Sequence, residues 1–301
     1  DSVFYPPDWV GTPLIKRSLN KGASLVTYRG WARDIDGWEP PRFIRADIPG
    51  LANQWMLPVV MSFVCANNRF DDPNEDCFGE VWLRAGSSSS PTGAVAFLGN
   101  GEHWSHTRFN DAAAISVASA IRQAGLRRLG ELLNALRLDF LRQFPLEIPY
   151  QSEAGESVEF YFYIYNLLGD PELSIWSGPA IDVDVEVAGE VPAQGNFLRV
   201  VVRRSGDANP VAGARVGLTQ GEVLLGCAWT DAAGEVVVPL AGLTGPDPVR
   251  VTVTGANVFP QRIDVPVGAS QPLEIASIAV IDDGTEETRG NGDSVPNPGE
   301  R

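Results

Sequence analysis

The fold of the first half of the chain is decided by the stretch LPVVMSFVCANN, residues 57–68. Its first part, residues 57–64, is almost continuously apolar, which is typical of a strand covered by other structure on both faces. Two further runs of the same character lie on either side of it, SLVTY at residues 24–28 and GAVAFL at residues 93–98. Together these runs predict a central sheet.

Helical patterns follow the second and third of these strands. Residues 75–85 carry apolar side chains at helical spacing, and a long amphipathic helical pattern then runs from about Asp111 to Phe144. The alternation of strands with helices predicts an α/β domain with a largely parallel sheet and right-handed crossovers. We place this domain at residues 1–178.

The periodicity of the apolar residues changes near residue 180. Period-two runs appear at residues 183–187, 198–202, 235–238 and 249–253. Short strands separated by Gly, Pro and Asp turns predict a small β-sandwich over residues 179–268. The segments PVAGARV (210–216) and TDAAG (230–234) resemble immunoglobulin-like modules of bacterial surface proteins. Residues 269–301 are polar and rich in Gly and Asp, and we interpret them as a linker toward a further domain.

The composition excludes some classes of function. The 301 residues include 38 acidic and 23 basic side chains, and the formal net charge of −15 argues against a nucleic-acid partner, because phosphate binding needs clustered Lys and Arg. No apolar run approaches the roughly 18–20 residues that a helix needs to cross a bilayer.

The three cysteines are odd in number, so we expect at least one unpaired thiol. The chain begins at Asp1 without an initiator Met, and we expect it to be a processed or excised piece of a longer protein.

Candidate catalytic residues follow the predicted strands. Ligands of an open parallel sheet bind outside the carboxyl ends of its strands, so the residues there should face one cleft. Trp31 follows the first strand, Cys65 follows the second, and both histidines of the chain, His103 and His106, follow the third. A cysteine in this position is either a small buried apolar residue or a nucleophile with a base beside it. The residues by themselves leave both interpretations open.

Several segments, in this order and spacing, resemble the catalytic domain of gingipain-type cysteine peptidases, family C25. They are YRGW (28–31), PVVMSFVCANNRF (58–70), CFGE (77–80), PTGAVA (91–96) and YNLLGDPEL (165–173). The resemblance covers roughly residues 21–176 and includes the layout of the immunoglobulin-like module that follows. It implies a caspase-like α/β domain, with its amino-terminal part upstream of Asp1, that cleaves peptide bonds with a Cys nucleophile and a His general base. It also implies an extracellular or cell-surface bacterial protein that acts on a polypeptide substrate or a protein partner.

The position of the family's catalytic His is where this sequence departs from the pattern. Cys65 matches the family's nucleophile, but Trp31 stands where the family has its His. Indole has no basic nitrogen and cannot take a proton from a thiol. Two explanations remain open: His103 or His106 reaches Cys65 as a replacement base, or the site is degenerate and the domain serves binding or surface assembly.

Further roles at the same site follow from chemistry and from the resemblance. The backbone N–H groups of Gly30, Trp31 and Cys65 are the natural oxyanion donors if acyl transfer occurs. The resemblance implies that Trp104 helps to wall the substrate pocket. A disulfide between Cys65 and Cys77 would abolish nucleophilicity, and the alternative is that Cys77 begins a helix beneath the site and packs in the core.

Two acidic segments of the sequence are candidate binding sites for a cation such as calcium. Asp71, Asp72 and Asp76 concentrate hard oxygen ligands before a predicted helix, and residues 282–293 do so in the tail. Neither loop has the spacing of a standard calcium-binding loop, and the alternative for the first is charge that complements the helix dipole. The acidic residues within 34–39 either favour a basic substrate or form a solvated loop. No other cofactor is expected.

Overall fold

The computed structural model describes residues 8–149 and 154–268, which divide into two compact units. The first comprises the residues up to Asp182 together with Gly255–Phe259, and the second comprises Val183–Thr254 with the residues from Pro260 onward. The predicted boundary after residue 178 lies just before this division. The predicted linker, residues 269–301, lies outside the described residues.

The first unit alternates helices and strands. Its elements are α1 (Asp8–Asn20), β1 (Leu25–Tyr28), β2 (Gly37–Trp38), β3 (Phe43–Ile44), β4 (Val59–Ser62), α2 (Phe78–Arg84), β5 (Ala96–Asn100), α3 (Thr107–Arg122), α4 (Leu129–Gln143), α5 (Val158–Ile164) and β6 (Tyr165–Leu168). Short 3₁₀ helices cover Asp34–Asp36, Arg45–Gly50 and Ala154–Glu156.

The sheet of the first unit has the order β1-β4-β5-β6. The strands β1, β4 and β5 are parallel, and β6 runs antiparallel to β5 at the edge. The register aligns Thr27 with Met61, Met61 with Leu98, and Leu98 with Leu167. The three predicted strands and the largely parallel sheet are therefore confirmed, with an antiparallel fourth strand.

The apolar run of β4 is buried on both of its faces, as its continuity predicts. Val59 and Met61 face a core shared with α3, α4 and α5, whereas Val60 and Val64 face a second core shared with α1 and α2. Successive side chains of a strand point to opposite faces, so each face needs apolar residues of its own. This α/β arrangement holds β4, and the Cys65 loop after it, in a fixed position.

The prediction of one long helix from about Asp111 to Phe144 is wrong, because two separate helices occupy this segment. Helix α3 ends at Arg122 and α4 begins at Leu129. Between them, Gly125 has a φ of +69°, the left-handed region that ends helices. The two helices share the apolar periodicity because both pack on the same face of the sheet.

Residues 183–268, most of which belong to the second unit, contain strands and no helix. The strands are β7 (Val183–Val187), β8 (Val191–Pro192), β9 (Phe197–Arg204), β10 (Arg215–Gln220), β11 (Val223–Trp229), β12 (Glu235–Pro239), β13 (Val249–Gly255), β14 (Val258–Val265) and β15 (Val267–Gly268). They form sheets of order β11-β10-β13-β14 and β12-β9-β7 and a two-stranded pair, β15-β8. The pairs of β10 with β11 and β13, and of β9 with β7 and β12, are antiparallel.

Alternating burial along the strands of the second unit follows the period-two pattern of its sequence. In β13, Val249, Val251 and Val253 are buried and the residues between them are more exposed. Each sheet therefore buries one face and presents the other to solvent. None of the helices in the described ranges of the whole chain is both long and apolar enough to span a membrane.

Candidate active site

The loops that follow β1, β4 and β5 meet at one edge of the sheet, as the sequence predicts. They enclose a cavity of about 270 Å³ together with the start of α3. The cavity is lined by Arg29, Gly30, Trp31, Ala32, Val64, Cys65, Ser105, Thr107 and Asn110. One thiol, one guanidinium, two hydroxyls and one amide thus face the same space.

Cys65 is half-buried and stands at the turn that ends the β4 segment. The next residue, Ala66, is fully buried and has a φ of +55°, which is uncommon for a residue with a side chain. Its N–H donates to the carbonyl oxygen of Glu102 at 3.0 Å. This bond ties the Cys65 turn to the loop after β5 and fixes the direction in which the thiol points.

Within residues 8–149 and 154–268, Ser105 is the hydrogen-bond partner of the Cys65 sulfur. The Ser105 hydroxyl donates to Sγ at 3.1 Å, and the thiol donates to the Ser105 carbonyl oxygen at 3.6 Å. Asn110 on α3 in turn donates from Nδ2 to Ser105 Oγ at 2.9 Å. The hydroxyl of Tyr165 donates to Asn110 Oδ1 at 2.7 Å. A chain of hydrogen bonds therefore runs from the core to the thiol.

Trp31 lines the cavity with an indole that is 70% exposed. The hydroxyl of Tyr28 donates to the carbonyl oxygen of Trp31 at 3.1 Å and so holds the turn that carries it. Gly30 permits this contact, because a Cβ at that position would lie 2.4 Å from the Tyr28 hydroxyl oxygen. Trp104 is 77% exposed and is not among the residues that line this cavity, within the part of the chain that the structure describes.

Arg29 connects the end of β1 with the start of α3. Its Nε lies 2.6 Å from Asp111 Oδ1, and a guanidinium nitrogen donates to the carbonyl oxygen of Thr107 at 3.1 Å. The carboxylate of Asp111 therefore balances the positive charge at the cavity wall. This ion pair is partly exposed, so we assign it a positioning role rather than a large contribution to stability.

Neither histidine hydrogen-bonds to Cys65 in the described part of the chain. His103 Nε2 lies 3.2 Å from Asp34 Oδ1 and 3.1 Å from a guanidinium nitrogen of Arg69. His106 lies at the start of α3, and its backbone N–H donates to the Tyr161 hydroxyl at 2.6 Å. The catalytic roles predicted for these two imidazoles remain predictions, and the contact beside the thiol is made by Ser105.

All three cysteines are free. Cys77 is fully buried at the start of α2, and its N–H donates to Glu80 Oε2 at 2.9 Å. Burial raises the pKa of Cys77 to about 11. The thiols of Cys65 and Cys77 are therefore not joined, and Cys77 packs in the core as the alternative interpretation held.

The acidic loop before α2 uses its carboxylates within the protein. Asp76 pairs with Arg84 at 2.6 Å, and Asp71 lies 3.6 Å from Arg69 Nε. Asp72 accepts from the backbone N–H of Asn74 at 2.9 Å, and this bond lowers the pKa of its carboxyl group. Within residues 8–149 and 154–268, no group of three or more Asp, Glu, His or Cys side chains is placed to hold a metal ion. Calcium binding by this loop remains a prediction, and residues 282–293 lie outside the described residues.

Comparison with known proteins identifies the family. The family model for peptidase family C25 matches residues 11–176, more than half of the chain. This chain belongs to peptidase family C25. No match is found among curated proteins.

The fold of the C25 domain is also that of solved peptidase structures. Gingipain R, described as an Arg-specific cysteine proteinase, matches with 20% identity and a TM-score of 0.70 over 85% of this chain and 56% of that one. The complex of Porphyromonas gingivalis RgpB pro- and mature domains matches with 20% identity and the same TM-score, over 85% and 57% of the two chains. A structure described only as a protease matches with 17% identity and a TM-score of 0.69, over 83% and 56%. The chain thus spans somewhat more than half the length of the structures that it matches.

Two polar residues of this C25 site were missed by sequence reasoning. Ser105 lies between the two histidines in the loop after β5, and Asn110 lies one turn into α3. Ser105 follows a strand that was correctly predicted, so its position at the sheet edge was a usable signal. Nothing in the sequence shows that Asn110 turns toward Ser105, because that depends on how α3 packs.

Proposed function

We propose that this C25 domain is a pseudo-peptidase, which binds polypeptide in the Cys65 cavity and does not hydrolyse it through a Cys–His dyad. The observation that carries the proposal is the hydrogen-bond partner of the thiol. Cys65 Sγ is hydrogen-bonded to Ser105, and the aromatic ring that the loop after β1 contributes to the cavity is the indole of Trp31. His103, one of the two imidazoles in the chain, is held by Asp34 and Arg69.

The chemistry of peptide hydrolysis supports this proposal. A thiol that attacks a peptide carbonyl must lose its proton, and the leaving amine must gain one, so a base that titrates near neutral pH is needed. A serine hydroxyl and an indole do not fill that role. Loss of the base from a catalytic unit costs several orders of magnitude in rate.

The cavity retains features that suit polypeptide binding. Trp31 at its wall is an exposed indole. Exposed aromatic rings of this size are frequent anchors in protein recognition. Family membership favours a polypeptide as the ligand over a small metabolite.

Restoring an imidazole tests the proposal. We expect the wild-type chain to bind a peptide library, seen as a change in tryptophan fluorescence, without cleavage that depends on Cys65. We expect Trp31→His to gain slow cleavage that is lost again in Trp31→His/Cys65→Ala, because the new ring lines the same cavity as the thiol. The matched control is Trp104→His, which adds an imidazole at an equally exposed indole outside the cavity lining. Cleavage by the wild-type chain that Cys65→Ala abolishes would contradict the proposal.

A second candidate is a cysteine endopeptidase with Cys65 as nucleophile and His103 or His106 as the replacement base. It is favoured by the half-buried thiol at the wall of an open cavity, next to the backbone of Gly30 and Trp31. For this candidate, His103 would first have to leave Asp34 and Arg69. Wild-type cleavage that His103→Ala or His106→Ala slows by at least tenfold would favour it, and cleavage unchanged in both variants would exclude it.

We further propose that the protein is extracellular or displayed on a bacterial cell surface, with the second unit as an immunoglobulin-like sandwich module. The resemblance to gingipain-type peptidases and the antiparallel sheets of that unit support this. Fractionation of cells that produce the full-length protein tests the location. Recovery of the folded protein in the cytoplasm alone would overturn it.

A further inference from the structure

The hydrogen bonds that end at Cys65 have a direction that can be worked out from the donors. Asn110 Oδ1 accepts from the Tyr165 hydroxyl at 2.7 Å and faces Asn100 Nδ2 at 3.4 Å. Two donors on one atom identify it as the amide oxygen, so the other end of the amide is the NH₂ group. That group lies 2.9 Å from Ser105 Oγ and donates to it.

The direction continues from Ser105 to the thiol. A serine hydroxyl has one hydrogen to donate. Since Ser105 Oγ accepts from Asn110, its own hydrogen is free to point at Cys65 Sγ, 3.1 Å away. Asn110 is 2% exposed and Tyr165 is fully buried, so water does not compete for the hydrogen bond between these two side chains.

We propose that Ser105, oriented by Asn110, takes the place of the missing imidazole as the group that stabilises negative charge on Cys65 sulfur. A hydrogen bond to an anionic acceptor is roughly twice as strong as one between neutral groups, so the donated hydroxyl favours the sulfur in its reacting, anionic form. Ser105 contacts the reacting atom, and Asn110 is a positioning residue that acts through it. The inference goes beyond the proposed function, because reaction of this thiol with a small electrophile does not require a bound polypeptide.

The consequence is faster reaction of Cys65 with electrophiles, without a base in the protein. With iodoacetamide, the thiol proton goes to solvent, the sulfur attacks the methylene carbon, the C–S bond forms, and the C–I bond breaks to release iodide. The donated hydrogen bond stabilises negative charge on the reacting sulfur, and part of the resulting gain in rate is offset by the lower nucleophilicity of a stabilised thiolate. We expect the hydroxyl to raise the rate about three- to tenfold.

The experiment measures alkylation of the folded full chain by iodoacetamide, residue by residue, with mass spectrometry. Ser105→Ala should slow Cys65 about three- to tenfold, and Ser105→Thr, which keeps the hydroxyl, should restore most of the rate. Cys227 serves as an internal reference for the reagent. Cys77 is fully buried and should stay unmodified, which reports that each variant is folded.

Asn110→Asp tests the direction of the hydrogen bonds with a nearly isosteric change. The new carboxylate can only accept, so it draws the Ser105 hydrogen away from sulfur and should slow Cys65 as Ser105→Ala does. If Asn110 acts through Ser105, the double variant Asn110→Ala/Ser105→Ala, which adds no charge beside the thiol, should be no slower than Ser105→Ala alone. Further slowing in the double variant would overturn the positioning role of Asn110.

Equal Cys65 rates in wild type and folded Ser105→Ala would overturn the role of Ser105, as would failure of Ser105→Thr to restore the rate. Peptide binding and cleavage are read separately from alkylation. A reactive Cys65 without peptide binding would therefore overturn the proposed function while leaving this inference intact.

Discussion

Ser62 is a polar side chain inside the buried strand β4, and it links two loops of the candidate site. Its hydroxyl accepts from Trp38 Nε1 at 2.9 Å and donates to Asn67 Oδ1 at 3.0 Å. Asn67 Nδ2 donates to the carbonyl oxygens of Asp34 and Gly37 at 2.8 and 3.1 Å. The Cys65 loop is thereby bonded to the loop that follows Trp31. A buried polar network of this kind fixes geometry because each member has few alternative partners.

Replacement of Ser62 by Ala should destabilise the first unit by about 1–3 kcal/mol. The change leaves Trp38 Nε1 without its acceptor and Asn67 Oδ1 without its donor, and both side chains are buried. The free energy of unfolding in urea measures the effect. Ser88→Ala, at an exposed position, is the matched control and should stay within about 0.5 kcal/mol of wild type. Equal stability of the two variants would contradict the role given to Ser62.

At the scale of elements, the break between α3 and α4 allows the apolar faces of both helices to pack in the same core. Buried residues of both helices, such as Phe109 and Phe140, join the cluster that covers β4 and β5. Helix α3 also carries Asn110 to Ser105, and its N-terminus lies at the cavity. A continuous helix over the same residues could not fold back on the sheet in this way.

Gly125→Ala should destabilise the first unit by about 1 kcal/mol, since its φ of +69° is unfavourable for a residue with a Cβ. No atom lies within 4 Å of the position of that Cβ, so the cost comes from the backbone alone. Gly189→Ala is the control, because it is equally open and its φ lies outside the left-handed region. The control should be neutral or slightly stabilising in urea denaturation. Stabilisation by Gly125→Ala would contradict this account of the helix break.

At the scale of the whole molecule, several ionisable groups are buried in their neutral forms. Burial raises the pKa of Tyr161 and of Tyr165 above the ordinary tyrosine value, and that of Cys77 to about 11. Each of these groups ionises more readily in the unfolded chain than in the folded one. Stability should therefore decline at alkaline pH.

Cys77→Ala isolates one part of this alkaline effect. The pKa of the Cys77 thiol rises from 9.0 to about 11 on folding, so its contribution is complete below pH 9 and is lost as the pH rises toward 11. Measured as free energies of unfolding, the advantage of wild type over Cys77→Ala should shrink by at most about 3 kcal/mol across that range. The buried tyrosines are common to both proteins and cancel. A difference that stays constant from pH 7 to pH 11 would contradict the burial effect.

Several features of the fold followed from the sequence because they depend on local pattern. The continuous apolar run of residues 57–64 requires cover on both faces, and period two after residue 180 requires sheets with one buried face. The position of Cys65 at the end of a strand was equally visible in the sequence. The helix break at Gly125 was missed because both helices face one core and keep one apolar periodicity.

Only the tertiary structure decided which side chains meet at the thiol. The sequence offered His103, Ser105 and His106 within one short loop and gave no means of choosing among them. The packing of α3 brings Asn110 to Ser105, and the turn at Ala66 aims the sulfur at the same hydroxyl. The sequence determined the layers of the protein through the pattern of apolar residues, whereas hydrogen bonds between distant segments exist only once those layers are packed.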